Sequence, residues 1–158
     1  MKKIFSFQFS VFFLMTVLLS ACHITCPEEP VAEETPSYEA YGQLAITSSG
    51  FTKDDVRTKV VLVSSDTLDL YMYEVKFAAL MPVTIDMVVS GVSYTRTGNR
   101  ITFRGDGIIP TAGNKPYEKY VIRDLEGTIT ADSLILSNKY GDTPSIYRGQ
   151  LTTNPLTH

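Results

Sequence analysis

The sequence predicts an all-β protein, a single antiparallel up-and-down barrel of about eight strands. Three observations carry that expectation. From Tyr41 onward, apolar and polar residues alternate with period two in short runs. Clusters of Gly, Asn, Asp, Ser and Pro separate these runs at hairpin distances, with no long helical pattern between them. Two central runs each change parity once while keeping an apolar face, as strands do when a sheet curls on itself. A two-sheet sandwich shares the local signals, but consecutive hairpins and the parity changes favour the barrel.

In chain order, Gln43–Thr47 alternates as a first strand and Ser48-Ser49-Gly50 ends it. Lys53-Asp54-Asp55 reads as a polar connection to a second strand, Thr58–Val63, which turns at Ser64-Ser65-Asp66. The centre is the stretch Leu68–Tyr94, two long apolar strands joined around Met81-Pro82. Leu68, Leu70 and Met72 share one face, and after Glu74 the apolar positions become Val75 and Phe77, a slip near Tyr73–Glu74. Val83, Ile85, Met87 and Val89 are apolar in the next strand, and after Gly91 the apolar positions are Val92 and Tyr94. Side chains alternate strictly along a strand, so each slip requires an extra residue, a bulge, and Gly91 suits one.

Arg96–Asn99 is a hairpin turn, and Ile101 and Phe103 mark a half-buried strand stopped by Gly105-Asp106-Gly107. Ile108–Pro116 is a longer loop whose Ile108-Ile109 is expected to tuck under one end of the barrel. Tyr117–Leu125 fits either helix or strand; its Tyr120-Val121-Ile122 favours a strand that continues, with a break at Gly127, to Thr130. Leu134–Leu136 and Ser145–Leu151 are the last strands. Gly42-Gln43-Leu44 recurs as Gly149-Gln150-Leu151, so the two copies become neighbours when such a barrel closes.

Ahead of the domain, Lys2-Lys3 and the apolar run Ile4–Leu19 form a secretory leader over residues 1–21. The run is shorter than the roughly 20 apolar residues a membrane span needs. Its end, Leu19-Ser20-Ala21-Cys22, resembles a bacterial lipobox. That resemblance implies cleavage before Cys22, diacylglycerol on its thiol and an acyl chain such as palmitate on its amino group. Several acyl chains anchor stably where one does not. The alternative is a plain secretory signal cut near Ala21. Residues 22–40, with Pro27, Pro30 and Pro36 and with Glu28, Glu29, Glu33 and Glu34, read as an acidic tether. Its early acidic residues also resemble surface-export signals of Bacteroides-type lipoproteins, although a plain linker needs no such role. The barrel is expected over residues 41–152, with a frayed end over 153–158. The expected location is the bacterial cell envelope, on the outer membrane and exposed at the surface.

Losing the two leader lysines takes the formal charge from −3 to −5. An acidic chain without clustered cations argues against nucleic acid as a partner. Arg96, Arg100 and Arg104 read as a solvated rim. The two histidines, His23 and His158, flank the domain, so a histidine-assisted nucleophile is not expected and the chain reads as a non-enzyme. No His/Cys metal spacing or phosphate loop occurs, and neither metal nor cofactor is expected. Asp124 and Glu126 on one strand are the best of several carboxylate pairs for glycosidase chemistry, and exposed strand polarity explains them as well.

The apolar residues are better candidates for recognition. Leu70, Met72, Phe77, Met87, Tyr94 and Phe103 are expected to line the interior, where they either surround a small hydrophobic ligand or fill the space completely. The lipobox, the tether and the unit LDLYMYEVKFAALMPVTIDM together resemble the calycin-like β-barrel lipoproteins of Bacteroides-type bacteria. The hairpin around Leu125–Ile129 and Leu134–Leu136 is similar too. The resemblance implies a lipocalin-related barrel and a small apolar ligand, and it supplies no catalytic residue. The chain has no tryptophan and so lacks the lipocalin Gly-x-Trp signature. A docking component of the envelope, with a filled barrel and an outer-membrane protein as partner, is the alternative. Asp66-Thr67-Leu68 and Asp132-Ser133-Leu134 further resemble Bacteroides-type O-glycosylation sites.

Overall fold

The computed structural model describes residues 35–153. The expected leader, Cys22, both histidines, most of the tether and the chain end from Asn154 lie outside the described residues. Eight long strands run in chain order: β1 (Ser37–Ile46), β2 (Phe51–Leu62), β3 (Thr67–Val75), β4 (Ile85–Thr97), β5 (Arg100–Gly105), β8 (Ile122–Ile129), β9 (Ser133–Tyr140) and β10 (Thr143–Thr153). Two short strands, β6 (Thr111–Ala112) and β7 (Lys115–Pro116), and a 3-10 turn at Glu118–Tyr120 lie in the connection between β5 and β8. Each long strand pairs antiparallel with the next, β3 with β4 included, and β10 returns to β1. The protein is a closed up-and-down barrel.

The two ends differ in what the chain puts there. At one end lie the start of β1 and the turns β2–β3, β4–β5 and β8–β9. At the other lie the β1–β2 turn, the β3–β4 loop, the β5–β8 connection and the β9–β10 turn. We call these the tether end and the cap end.

The wall has five register shifts, one at Thr152 where β10 meets the start of β1 and four bulges of a common kind. Tyr73-Glu74 face Asp86 alone, and Ser90-Gly91 face Asp69 alone, so both parity changes read from the sequence are extra residues. Asp54-Asp55 face Gln43, and Asp124-Leu125 face Asn138. Each bulge holds one residue in the left-handed region: Glu74 at φ 53°, Gly91 at 70°, Asp55 at 57° and Asp124 at 51°. Three of these residues donate their backbone N–H to an aspartate of a neighbouring segment. Glu74 N reaches Asp86 Oδ1 at 2.8 Å, Gly91 N reaches Asp69 Oδ1 at 2.9 Å, and Asp124 N reaches Asp106 Oδ1 at 3.1 Å. The carboxylate satisfies a donor that the bulge removes from the ladder. At the fourth, Gln43 Nε2 donates to Asp54 Oδ1 at 2.7 Å.

The seam between β1 and β10 pairs Gly42 with Gly149, so the repeated tripeptides meet at their glycines and run apart from there. A Cβ on Gly42 would strike the backbone of Arg148 and Gly149, and one on Gly149 would strike the Tyr147 ring. Only glycine permits this approach.

Several local expectations are corrected. β1 begins at Ser37 rather than in the low forties, because Tyr38 and Ala40 are fully buried against β2. Lys53-Asp54-Asp55 is a bulged part of β2 rather than a connection. Residues Glu118–Tyr120 form a helical turn, and the irregularity in β8 falls at Asp124, not Gly127. Gly127 instead continues the strand and accepts the Phe103 ring where its own side chain would stand. Of the isoleucine pair, Ile108 packs against the core and bridges to Ile122, while Ile109 is exposed. Arg96, Arg100 and Arg104 are solvent-exposed, as expected of a rim.

Two substitutions at the bulges test this account by urea unfolding. Asp86→Ala strands the Glu74 N–H and is expected to cost about 1–2 kcal/mol. Gly91→Val places a β-branched side chain at positive φ and is expected to cost at least as much.

Candidate functional site

Five of the six expected lining residues meet inside the barrel. Leu70, Met72 and Met87 are each 1% exposed, Phe103 3% and Phe77 7%. Tyr94 packs against this core while only half-buried. Its hydroxyl donates to Ser64 O at 3.0 Å and its N–H to Asp66 O at 2.9 Å, so it also holds the β2–β3 turn. Phe77 lies towards the cap end, its ring centroid 4.6 Å from that of Tyr120 and 4.4 Å from that of Tyr140.

The interior also holds polar groups that the apolar pattern did not single out. Tyr38, Tyr140, Tyr147 and Thr58 are buried to 1% exposure or less, with Asn138 and Ser145 close behind. The Tyr140 hydroxyl donates to Met72 Sδ at 3.0 Å. Ser145 Oγ donates to Asn138 Oδ1 at 3.0 Å. The Tyr147 hydroxyl lies 3.2 Å from Ala40 O and 3.0 Å from Val56 O, and its single proton serves one of these carbonyls at a time. Strand parity places Ser145, Tyr147 and Gly149 on one face, a signal present in the sequence and obscured there by the smallness of its neighbours.

The Tyr38 hydroxyl is buried without a hydrogen-bond partner, whereas the buried Thr58 hydroxyl faces the Tyr147 phenol. Tyr38 lies with its ring inside β1 while the Arg96 charge acts on its phenol from the tether end. Exposures this close to zero leave no space for a water molecule against these side chains. Burial pushes the Tyr147 phenol up to about 12, a rise the Thr58 hydroxyl moderates. Burial raises Tyr140 further, and raises Tyr38 against the opposing pull of Arg96.

Outside the barrel, Arg104, Asp106, Asp124 and Glu126 line an open depression on the flank of β5 and β8. Asp124 is paired with Lys139 at 2.7 Å, and Asp106 accepts the Asp124 N–H. The carboxylates considered for acid–base chemistry thus stand exposed on an open flank, one of them already paired with a cation. Among the described residues, no group of three or more His, Cys, Asp or Glu side chains could hold a metal ion.

The cap end is apolar where it protrudes. Ala78, Ala79, Leu80, Pro82 and Val83 are all exposed, Leu80 to 96%. Met81 N donates to Ala78 O at 3.2 Å, closing a turn with Ala79 and Leu80 at its tip. The tether end is built differently. In Ser64-Ser65-Asp66-Thr67 the Ser64 hydroxyl meets Asp66 Oδ1 at 2.7 Å and Thr67 Oγ1 at 2.6 Å. Thr130 makes the same two contacts in Thr130-Ala131-Asp132-Ser133, at 3.0 and 2.7 Å. Thr67 and Ser133, the hydroxyls of the two glycosylation-like tripeptides, therefore sit on one rim and are both engaged in hydrogen bonds.

No family model, curated protein or solved structure matches this chain.

The orphaned hydroxyl makes a stability prediction. Tyr38→Phe removes an unsatisfied buried donor and is expected to stabilise by about 1 kcal/mol. Tyr147→Phe removes a satisfied one and is expected to lose a similar amount, both measured by denaturant midpoint.

The buried phenols also fix the alkaline limit. Unfolded tyrosine titrates near 10, whereas folded Tyr147 holds its proton to about 12 and Tyr140 beyond that. The folded state then binds more protons than the unfolded one, so stability is full below pH 10 and falls as pH rises through the folded values. Phenolate absorbance should show Tyr140 and Tyr147 ionising only as the chain unfolds.

Proposed function

We propose that this chain is a non-catalytic, outer-membrane lipoprotein of the bacterial cell envelope, anchored through acylated Cys22. Its filled barrel docks on a partner protein through its outer surface. One observation carries the docking half: the positions that would surround a ligand are occupied by one another's side chains, with exposures of a few per cent. A barrel of eight strands is narrow enough for side chains to fill it. A folded barrel with a packed interior has only its walls and loops to offer, and function follows the site rather than the fold. The up-and-down topology is in keeping with the calycin-like resemblance of the central Leu68–Tyr94 unit, and the lipobox of Leu19–Cys22 supports the anchor.

A second reading rests on the orphaned hydroxyl. Tyr38 is the kind of sparse polar group that orients an apolar ligand in a calyx, and a ligand polar atom would satisfy it. Such a ligand would require the packed interior to open.

Native mass spectrometry and lipid extraction of the exported protein separate the two. Docking predicts the mass of the acylated chain alone, with no small molecule recurring between preparations. A stoichiometric apolar molecule, lost in Tyr38→Phe, would replace docking with ligand carriage. In the same cells Cys22→Ser is expected to move the protein from the membrane fraction to the soluble one; unchanged fractionation would refute the anchor.

A further inference from the structure

The β3–β4 loop is the most apolar exposed feature of the described chain, and it is rigidly mounted. No charged residue occurs from Phe77 through Ile85. Phe77, at the base, is clamped between Tyr120 and Tyr140, so the turn at Ala78–Met81 projects from a packed aromatic floor. Leu80 is 96% exposed and Val83 61%, with Ala78, Ala79 and Pro82 exposed beside them.

Lysines flank this tip. Lys76 opens the loop itself. Lys115 is exposed on the β6–β7 hairpin, which pairs with β4 at Val88–Thr111. Lys119 is exposed on the 3-10 turn, its Nζ 5.3 Å from the centroid of the Tyr120 ring that stacks on Phe77. Glu118 is interleaved with them, and Asp142, in the β9–β10 turn that adjoins Lys119, is exposed and paired with Arg123 at 3.2 Å; Glu74 and Asp86 sit lower, joined at the bulge.

We infer that the cap end is a membrane-contacting tip, with Leu80, Met81 and Val83 entering the interfacial layer of a bilayer that carries anionic headgroups. Lys76, Lys115 and Lys119 stand where the phosphates would lie. The shape favours lipid over protein. A stable protein interface takes about 800 Å² from each partner, more than one narrow turn of five or six small and aliphatic residues presents. Interfacial insertion needs only an apolar tip and nearby cations, whose long stems let the charge stay at headgroup level. The geometry of attachment allows it. Cys22 to Pro36 spans at most ~50 Å when extended, against ~25 Å for ten-residue strands tilted as in a barrel. The cap can therefore turn towards the membrane that holds the chain. This inference is independent of protein docking, which would use the remaining surface.

The absence of tryptophan makes the test direct. Leu80→Trp and, as a flank control, Ile135→Trp are made in the full chain and reconstituted with phosphatidylcholine vesicles, with or without phosphatidylglycerol. In the anionic vesicles the Leu80→Trp emission should move to shorter wavelength. Bromine-labelled acyl chains should quench it at least about twofold more than Ile135→Trp, as expected of an interfacial side chain. Lys115→Glu with Lys119→Glu should reduce that quenching. Water-like, unquenched emission from Leu80→Trp overturns the inference. So does shielding that arises without vesicles, which marks a second copy, or shielding in native envelopes without bromine quenching, which marks a protein partner.

Discussion

A sheet of eight strands closes only if its strands coil, and coiling requires residues that the ladder cannot use. This chain supplies four, at Asp55, Glu74, Gly91 and Asp124, each in a left-handed conformation that adds one residue to one strand. Only one of the four is glycine, so three positions carry conformational strain on the order of 1 kcal/mol each. What holds three of the four is electrostatic rather than steric: an aspartate from the facing or adjoining segment accepts the N–H that the bulge leaves free. Remove the bulges and the parity changes go with them, turning every later side chain of that strand through the wall. Closure, the apolar interior and the position of both ends all depend on these four sites.

Which of them could be read in the sequence depends on what flanks them. Between Met72 and Val75, and between Val89 and Val92, apolar residues stand on both sides of the extra one, so the change of face is visible as a change of parity. Lys53-Asp54-Asp55 has polar residues on its N-terminal side, so the same event there looks like a connection. At Asp124 the preceding segment is a helical turn that already blurs the period, and the break was assigned to Gly127 because glycine is the usual marker. The start of β1 was hidden for a related reason. Ser37–Ala40 alternates properly, but it follows directly on the Pro- and Glu-rich stretch, and four residues are too few to outweigh that composition. The seam was legible in a weak form, as a repeated Gly-Gln-Leu whose two glycines pair.

The lining residues were legible as interior and not as a site. Leu70, Met72, Phe77, Met87 and Phe103 have the same alternating pattern whether they surround a ligand or each other, because parity reports the side of the wall and says nothing of the space beyond it. Volume decides that, and it comes from residues on distant strands. Tyr147 folds back over Gly149, and Phe103 lies over Gly127, so two glycines that thin the wall are each covered by a ring. Tyr94 has inward parity and packs against the core, yet it stays half-buried because its hydroxyl reaches out to the β2–β3 turn.

The remaining asymmetry concerns the ends. At the tether end two hairpins are closed by the same network of a serine or threonine, an aspartate and a second hydroxyl, so their polar groups are already satisfied by near neighbours. Such turns are well solvated and have little to gain from a partner. At the cap end the loops are held from beneath, by Phe77, Tyr120, Tyr140 and Ile108, and leave Leu80, Val83 and Ile109 facing outward. Among the described residues Val63, Tyr41 and Ile135 are exposed singly elsewhere, whereas here several apolar side chains stand together in water, a patch that burial would improve. The aromatic floor that completes the core is thus also what presents the apolar tip, which ties the packed interior to the exposed end of the barrel.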